Sequence, residues 1–268
     1  MLASPSQTAS PSARRSSGAA DRNKAEGEES IGLLALILAL LSVGETRIEG
    51  LVGSRDVVAM AEACRRLGAA IERGGDAAWC IRGVGVGGLL SPEGSLDFGG
   101  SLAGAVLMMG VIASHGITAT LDGDATLRTC PMMPVLTPLT RMGAEIVAAA
   151  EGVRLPLTLR GAVDPVPILW HVPDSGASSP VPPNLVSAAV LLAGLNAPGE
   201  TAVIAPQATS EAVSSFRSPD DAAHLLRLFG ADVAISPEGT GRRIVLQGRP
   251  TLRPAVVTLP AKIPPSSP

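Results

Sequence analysis

Cysteine and histidine side chains are the residues of this sequence best suited to nucleophilic or metal chemistry. There are three of each, at Cys64, Cys80, Cys130, His115, His171 and His224. An odd, widely spaced set of cysteines predicts neither a disulfide framework nor a C-x-x-C metal clip, and it favours a reducing cytoplasm. The histidines are too dispersed to argue for a metal, and Cys130 lacks a histidine beside it in sequence, so a free thiol is favoured there. We therefore predict no metal and no cofactor.

Two further groups of residues are open to a functional interpretation. Asp220 and Asp221 follow Ser218-Pro219 at a predicted helix start, where carboxylates interact favourably with the helix dipole. The string "GVGVGGLL" at 83–90 is rich in glycine, but it precedes no obvious helix, and no G-x-G-x-x-G follows a predicted strand. Helix capping and a flexible turn account for these residues, so a dinucleotide site is not predicted.

Composition limits the class of protein. The chain has 268 residues, 46% of them hydrophobic, which is enough to bury a substantial core. The formal net charge is −3 with both signs scattered, so the basic stripe of a nucleic-acid or membrane-surface binder is not present. Aromatic residues make up 2% and tyrosine is absent, which removes the stacking platforms of a single-strand binder. The core must be aliphatic.

The elements that would position a site begin with an apolar run, Ile31 to Val43. It is shorter than the roughly 20 apolar residues that a membrane-spanning helix needs. Glutamates precede it and no small-x-small cleavage site follows, which argues against a signal sequence. We predict a buried helix with Ser30 as N-cap and Gly44 as C-cap. Residues 1–27, rich in Ser, Ala, Pro and charge, are predicted to be a flexible tail, with a targeting peptide as the alternative.

The order helix, strand, helix, strand, strand occurs three times along the chain. The repeats cover about 30–98, 99–163 and 164–250. Their first helices are apolar throughout and should be buried; they are predicted at 31–43, 102–113 and 185–195. Their second helices end at a glycine before Ala, at Gly68, Gly143 and Gly230. Because two strands in succession break the βαβ rhythm, we predict an α+β fold of three homologous units.

Several strings in the chain carry a family resemblance. They are "GETRIEGL", "GVGVGGLLSPEGSLDFG", "GDATLR", "PMMPVLTPLTRMGAE", "RLPLTLRG", "DPVPI" and "SAAVLLAGLNAPGETAVI". Over about residues 30–260 they resemble the 5-enolpyruvylshikimate-3-phosphate synthase family, and much less the sibling transferases that act on UDP-N-acetylglucosamine. The resemblance implies two lobes, each of three βαβαββ units about a pseudo-threefold axis. One lobe corresponds to residues 28–255, and 256–268 would be a truncated tail.

The resemblance also implies a reaction, the transfer of a carboxyvinyl group from phosphoenolpyruvate to shikimate 3-phosphate. Both substrates are phosphorylated anions, so lysines and arginines should hold them and stabilise the developing charge. The family's catalytic acid and base lie in the second lobe. No catalytic residue is therefore predicted in this chain.

The opening helix departs from the family motif Gly-Asp-Lys-Ser-Ile-Ser-x-Arg. In the family, the Lys of this motif holds phosphoenolpyruvate, and its Ser and Arg hold shikimate 3-phosphate. Here Glu29 stands at the Lys position, Leu34 at the Arg position, and Ser30 alone is retained as a substrate-binding candidate. A cation has thus been replaced by an anion at an expected phosphate site.

The other motifs lose polar residues in the same way. The motifs concerned are Asp-Phe-Gly-Asn-x-x-Thr-x-x-Arg, Lys-Arg-Pro-Met-Gly-Arg and Ser-Ala-Gln-x-Lys-Ser. The replacements are Gly100 for Asn, Val106 for Arg, Cys130 for the phosphoenolpyruvate-binding Arg, Pro134 for the last Arg, Pro183 for Ser and Leu185 for Gln. Ser178 or Ser179 could substitute for a lost hydroxyl. The family's Arg-Asp-His-Thr-Glu segment falls near Asp220, after an apparent insertion.

Two functions of different classes are compatible with these residues. One is the carboxyvinyltransferase, as half of a split enzyme that needs a second-lobe chain; the other is an inactive relative that serves as a binding or scaffolding protein. The lost cations favour the second. A lobe that evolved to face another lobe should also expose an apolar surface, so self-association is expected.

Overall fold

The computed structural model describes residues 28–74, 78–173, 179–206, 216 and 219–259. The predicted tail 1–27 lies outside this range. The helices are α1 (28–40), α2 (Arg55–Arg66), α3 (Leu102–Ala113), α4 (Met133–Arg141), α5 (Pro183–Gly194) and α6 (Pro219–Leu228), with a 3₁₀ turn at Leu127–Thr129. The strands are β1 (Val43–Glu49), β2 (Ala70–Arg73), β3 (Trp79–Val84), β4 (Ser95–Asp97), β5 (Thr118–Asp122), β6 (Glu145–Ala150), β7 (Arg154–Arg160), β8 (Leu169–His171), β9 (Glu200–Ala205), β10 (Val233–Glu238), β11 (Gly241–Gln247) and β12 (Val256–Thr258).

The strands form three four-stranded sheets with the same internal order. The orders are β12-β1-β3-β2, β4-β5-β7-β6 and β8-β9-β11-β10. In each sheet the first strand is three residues long, follows the third strand of another repeat along the chain and pairs in parallel; the other three pair antiparallel. This arrangement confirms the α+β fold of three βαβαββ units. It also corrects the predicted tail, because β12 lies beyond residue 255 and belongs to the first sheet.

Three apolar helices fill the centre of the described structure. Residues 33–40 of α1 are at most 1% exposed, and α3 and α5 are buried over nearly their whole length. A Cβ on Gly110 of α3 would overlap the carbonyl oxygen of Ala189 in α5, so glycine permits this close helix packing. The predicted buried helices are confirmed; α1 lies three residues nearer the N-terminus than predicted, and α5 begins two residues and ends one residue earlier. No helix in the described segments could span a membrane.

The outer helices α2, α4 and α6 each stop at the glycine expected from the sequence. Gly68, Gly143 and Gly230 have φ values of +114°, +108° and +90°, a backbone region that favours glycine. Cys64 lies on the buried face of α2, where burial raises the pKa of its thiol to about 12. A thiol with that pKa is protonated at neutral pH, so Cys64 is inert core.

The ends of α1 differ from the sequence-based expectation. Ser30 lies inside the helix and is 3% exposed, because the helix already includes Glu28 and Glu29, whose charges favour a first turn. At the other end Ser42 donates from its hydroxyl to the Ala39 carbonyl (3.0 Å). Gly44 therefore does not cap α1; it lies in β1 with a φ of +122°.

A glycine at or just after the end of the third strand of each repeat touches the end of that repeat's buried helix. A Cβ on any of them would overlap two or more backbone carbonyl oxygens there. We call Gly83, Gly161 and Gly248 the strand-end glycines. They let each sheet close against its helix where no side chain fits.

His115 lies at the end of α3 and is 2% exposed. Its Nδ1 donates to the Val111 carbonyl (2.7 Å), and its Nε2 has no hydrogen-bond partner within the described segments. Burial lowers the pKa of His115, against the opposing effect of the Val111 hydrogen bond. The folded protein therefore favours the neutral imidazole.

The protein is expected to become less stable as the pH is lowered, because of His115. The unfolded chain takes up the proton near pH 6.5, so the stabilising contribution is complete above that pH and is lost as pH falls through the lower folded-state pKa. Urea unfolding at about pH 7.5 and about pH 5.5 should show a smaller difference for His115→Gln than for the parent chain. The exposed His224, changed to glutamine, serves as the control. If His115→Gln lost as much stability between the two pH values as the parent chain, the pH dependence could not be assigned to His115.

Candidate functional site

The first predicted site residue, Glu29, is engaged by a neighbouring helix. Its carboxylate accepts a hydrogen bond from the Ser54 hydroxyl, and Ser54 Oγ in turn accepts the Val57 N–H (3.2 Å) at the start of α2. A carboxylate next to a helix N-terminus is favourable electrostatically. Glu29 thus joins α1 to the N-cap of α2, where the positive charge of a lysine would be unfavourable.

The pocket beside Glu29 is small and half-open. Glu28, Glu29, Leu51, Val57 and Leu259 line it, and its volume of about 20 Å³ is room for roughly one water molecule. Two of its walls are carboxylates. The Glu29 carboxylate disfavours a phosphate here, and the retained Ser30 is buried in α1.

Two positions where the family motifs have arginine lie in the core. Leu34 of α1 is 1% exposed and Val106 of α3 is fully buried. A side chain at either position points into the apolar centre of the described structure, where an unpaired charge would be very costly. The loss of these arginines is therefore accompanied by burial of the positions themselves.

The loop before α3 is held by its own polar groups. Asp97 Oδ1 accepts the Gly99 N–H (2.8 Å), and Ser101 Oγ accepts the Gly104 N–H (3.3 Å) as the N-cap of α3. Gly100 faces Asp124, whose Oδ2 would lie 3.0 Å from an added Cβ. Gly100 therefore leaves the asparagine position of the family motif without a side chain, and the nearby Asp124 carboxylate would repel a phosphate.

Arg128 is a cation near this loop that the motif comparison missed. Its Nε and an Nη donate to the two oxygens of Asp122, at 2.8 and 2.7 Å. The Arg128 hydrogen bond is the main reason that the pKa of Asp122 is lowered. The sequence signal was an aspartate at the end of a strand with an arginine six residues later. Because these two guanidinium N–H groups already bind Asp122, Arg128 is not free to bind a phosphate with them.

Cys130 follows the 3₁₀ turn, and its N–H donates to Leu127 (3.1 Å). The residue is half-buried and packs against the core. No group of three His, Cys, Asp or Glu side chains that could hold a metal occurs in the residues that the structure describes. The structure places Cys130 as a small apolar residue at a position where the motif has arginine.

The start of α5 is apolar as well. Leu185, at the glutamine position, is fully buried, and Asn184 donates from Nδ2 to the Phe216 carbonyl (3.2 Å). Ser179 donates to the Val181 carbonyl (3.1 Å). Ser178, the other candidate hydroxyl, lies outside the described residues.

A cleft of about 280 Å³ opens between α4, β8 and α5. We call it the proline cleft. Its lining includes Pro134, Thr137, Trp170, Val181, Pro183 and Val186. The structure thus brings two degenerate motif positions, Pro134 and Pro183, to one cleft, while Gly100 meets Asp124 in a separate loop cluster and Glu29 contacts α2.

Comparison with known proteins agrees with this architecture. The model of the family described as EPSP synthase (3-phosphoshikimate 1-carboxyvinyltransferase) matches residues 20–261. A 3-phosphoshikimate 1-carboxyvinyltransferase of Methylobacterium sp. (strain 4-46) is 49% identical over 243 residues, covering 90% of this chain and 51% of the relative. One of Rhodopseudomonas palustris (strain BisB5) is 47% identical over 256 residues, covering 95% and 54%. The chain spans about half the length of these relatives.

Solved structures show the same similarity. EPSP synthase from Acinetobacter baumannii superposes with a TM-score of 0.74 at 29% identity, covering 88% of this chain and 48% of that one. The enolpyruvyl transferase NikO from Streptomyces tendae, at 21% identity and a TM-score of 0.57, shares the fold. Because the family model matches nearly the whole sequence, this chain belongs to the EPSP synthase family.

Proposed function

We propose that this chain keeps the fold of an EPSP synthase lobe but does not catalyse carboxyvinyl transfer from phosphoenolpyruvate to shikimate 3-phosphate. The observation that carries the proposal is the state of Glu29. It replaces the expected lysine, and its carboxylate is bound by Ser54 at the start of α2. The position therefore offers a negative charge with a fixed structural partner where a substrate phosphate would need a cation.

The other expected contacts support the same conclusion. Leu34 is core, Cys130 is half-buried and stands in place of a cation, and Gly100 faces an aspartate. Stabilising the charge of a transition state requires oriented donors or cations at fixed positions. We infer a non-catalytic binding or scaffolding role. The three cysteines are unpaired, which supports the proposed cytoplasmic location.

Phosphate release from the two substrates tests the proposal directly. The purified chain should give no release above background, whereas the full-length Methylobacterium relative serves as the positive control. A second arm adds the half of that relative that this chain does not cover, to supply a second lobe. We expect no turnover in either arm. Turnover by the chain alone would overturn the proposal, and turnover only with the added half would establish a split enzyme instead.

A further inference from the structure

We propose that the proline cleft binds a small, uncharged, largely apolar molecule, of roughly the size of two fused or linked aromatic rings. The inference deepens the proposed function, since it assigns a ligand class to a region that has lost its phosphate-binding groups. It depends on the lining, volume and rigidity of the cleft, and not on the presence or absence of turnover.

The lining of the cleft carries no ionisable side chain among the described residues. Its two hydroxyls are already engaged: Thr137 donates to the Met133 carbonyl (2.7 Å) and Ser179 to the Val181 carbonyl (3.1 Å). The remaining lining residues are prolines, valines and Trp170, whose buried Nε1 has no hydrogen-bond partner among the described residues. A charged ligand would lose its hydration against the prolines and valines, and the nearby Arg141 guanidinium is already stacked on Trp170, whereas an apolar ligand would gain from burial.

The volume limits the size of the ligand. An apolar cavity of about 150 Å³ accommodates one benzene molecule, and the proline cleft holds about 280 Å³. That is room for two rings, near the lower limit of about 300 Å³ for typical small-molecule pockets. A peptide side chain would fill half of the space, and a folded partner could not enter it.

The walls of the cleft formed by the start of α5 and by β8 are held in place. Pro182 and Pro183 begin α5, where the fixed φ of proline suits the first helical turn. Trp170 is paired with Val203 in the third sheet, and the Arg141 guanidinium stacks on its indole ring at 5.0 Å. A preformed apolar site loses little conformational entropy on binding.

The apolar lining of the cleft also disfavours the phosphorylated substrates of the family in this part of the molecule. Pro134 stands where the family motif ends in arginine, and Pro183 stands at the motif's first serine. Both changes remove polar groups and add rigid apolar surface to the same cleft. The two prolines thus account both for the loss of an anion site and for the gain of an apolar site.

Titration with the neutral dye N-phenyl-1-naphthylamine tests the inference on the full chain. Dye emission should rise and saturate at one equivalent, with energy transfer from Trp170, one of the two tryptophans in the chain. Trp170→Phe should reduce the energy transfer while the dye still binds. Phosphoenolpyruvate and shikimate 3-phosphate should not displace the dye.

A pair of variants on α4 provides the matched control. Thr137 lines the cleft and Thr140 is exposed on the same helix, and both hydroxyls donate to a backbone carbonyl in that helix. Thr137→Phe should fill the cleft and weaken dye binding by at least about tenfold, whereas Thr140→Phe should change it by less than about twofold. Thermal melts of both variants establish that they fold.

The outcomes separate the two proposals. An absence of saturable dye binding to the parent chain, or equal effects of Thr137→Phe and Thr140→Phe, would overturn the cleft inference and leave the proposed loss of transfer activity standing. Displacement of the dye by either phosphorylated substrate would overturn the proposed loss of substrate binding. Should Thr137→Phe fail to fold, the energy transfer that depends on Trp170 still decides the location.

Discussion

Replacement of Gly161 by alanine is expected to lower the free energy of unfolding by about 3 kcal/mol, at the upper end of the usual range for overpacking. An alanine Cβ would overlap the carbonyl oxygens of Ile112 and His115 at the end of α3. Backbone carbonyls cannot rotate away as a flexible side chain can, so β7 and α3 must separate. The hydrogen bond from Ala162 N–H to the Ala113 carbonyl (2.9 Å) would be strained with them.

Thermal and urea unfolding measure this effect. For a domain of this size, a loss of about 3 kcal/mol corresponds to a fall of roughly 6–12 °C in Tm. Gly74→Ala is the control, because the nearest atom to a Cβ there is the Ala78 carbonyl oxygen at an ordinary 3.7 Å. A Tm of Gly161→Ala within about 2 °C of the parent would show that the end of α3 is free to move.

Calorimetric titration is expected to show a loss of more than about a thousandfold in affinity for phosphoenolpyruvate and shikimate 3-phosphate, relative to the full-length Methylobacterium relative. Each charge-assisted contact to a phosphate contributes roughly 1.5–3 kcal/mol. The motif positions have lost one lysine and at least two arginines, which amounts to about 4.5 kcal/mol or more. Glu29 adds repulsion to that loss.

Restoring the charge at residue 29 alone is not expected to restore binding. Glu29→Lys would break the contact with Ser54 and place a cation near the N-terminus of α2, at a cost of about 1 kcal/mol in stability. Glu62→Lys makes the same charge change at an exposed position of α2 and controls for net charge. Micromolar binding by the parent chain or by Glu29→Lys would refute this account.

The sequence was informative about long elements and uninformative about short ones. The helices α3 and α5 were placed to within two residues at their starts, because twelve-residue apolar stretches have an unambiguous interpretation. The strands β4, β8 and β12 have three residues each and carry no periodicity of their own. Their pairing depends on contacts between repeats, which no local pattern records.

The candidate site, too, could be predicted from the sequence only in part. Motif comparison identified the positions that had lost cations, and the charge reversal at Glu29 was visible in the letters alone. It did not reveal that Ser54 holds that carboxylate, because the two residues are 25 positions apart. It also missed the proline cleft, since the motifs marked Pro134 and Pro183 only as lost polar positions and did not show that α4, β8 and α5 bring them together.

Because each sheet takes its first strand from another repeat, the three repeats form a closed ring and not a linear array. In a linear array each unit contacts only its neighbours, so units can be added or lost at an end with modest cost. Here β12 of the third repeat pairs with β1 of the first, and the Arg47 N–H donates to the Ala255 carbonyl (3.1 Å). No repeat is terminal, and each sheet is complete only when another repeat supplies its edge. The lobe is therefore one indivisible cooperative unit, whose first sheet cannot finish folding until nearly all of the described chain has been synthesised.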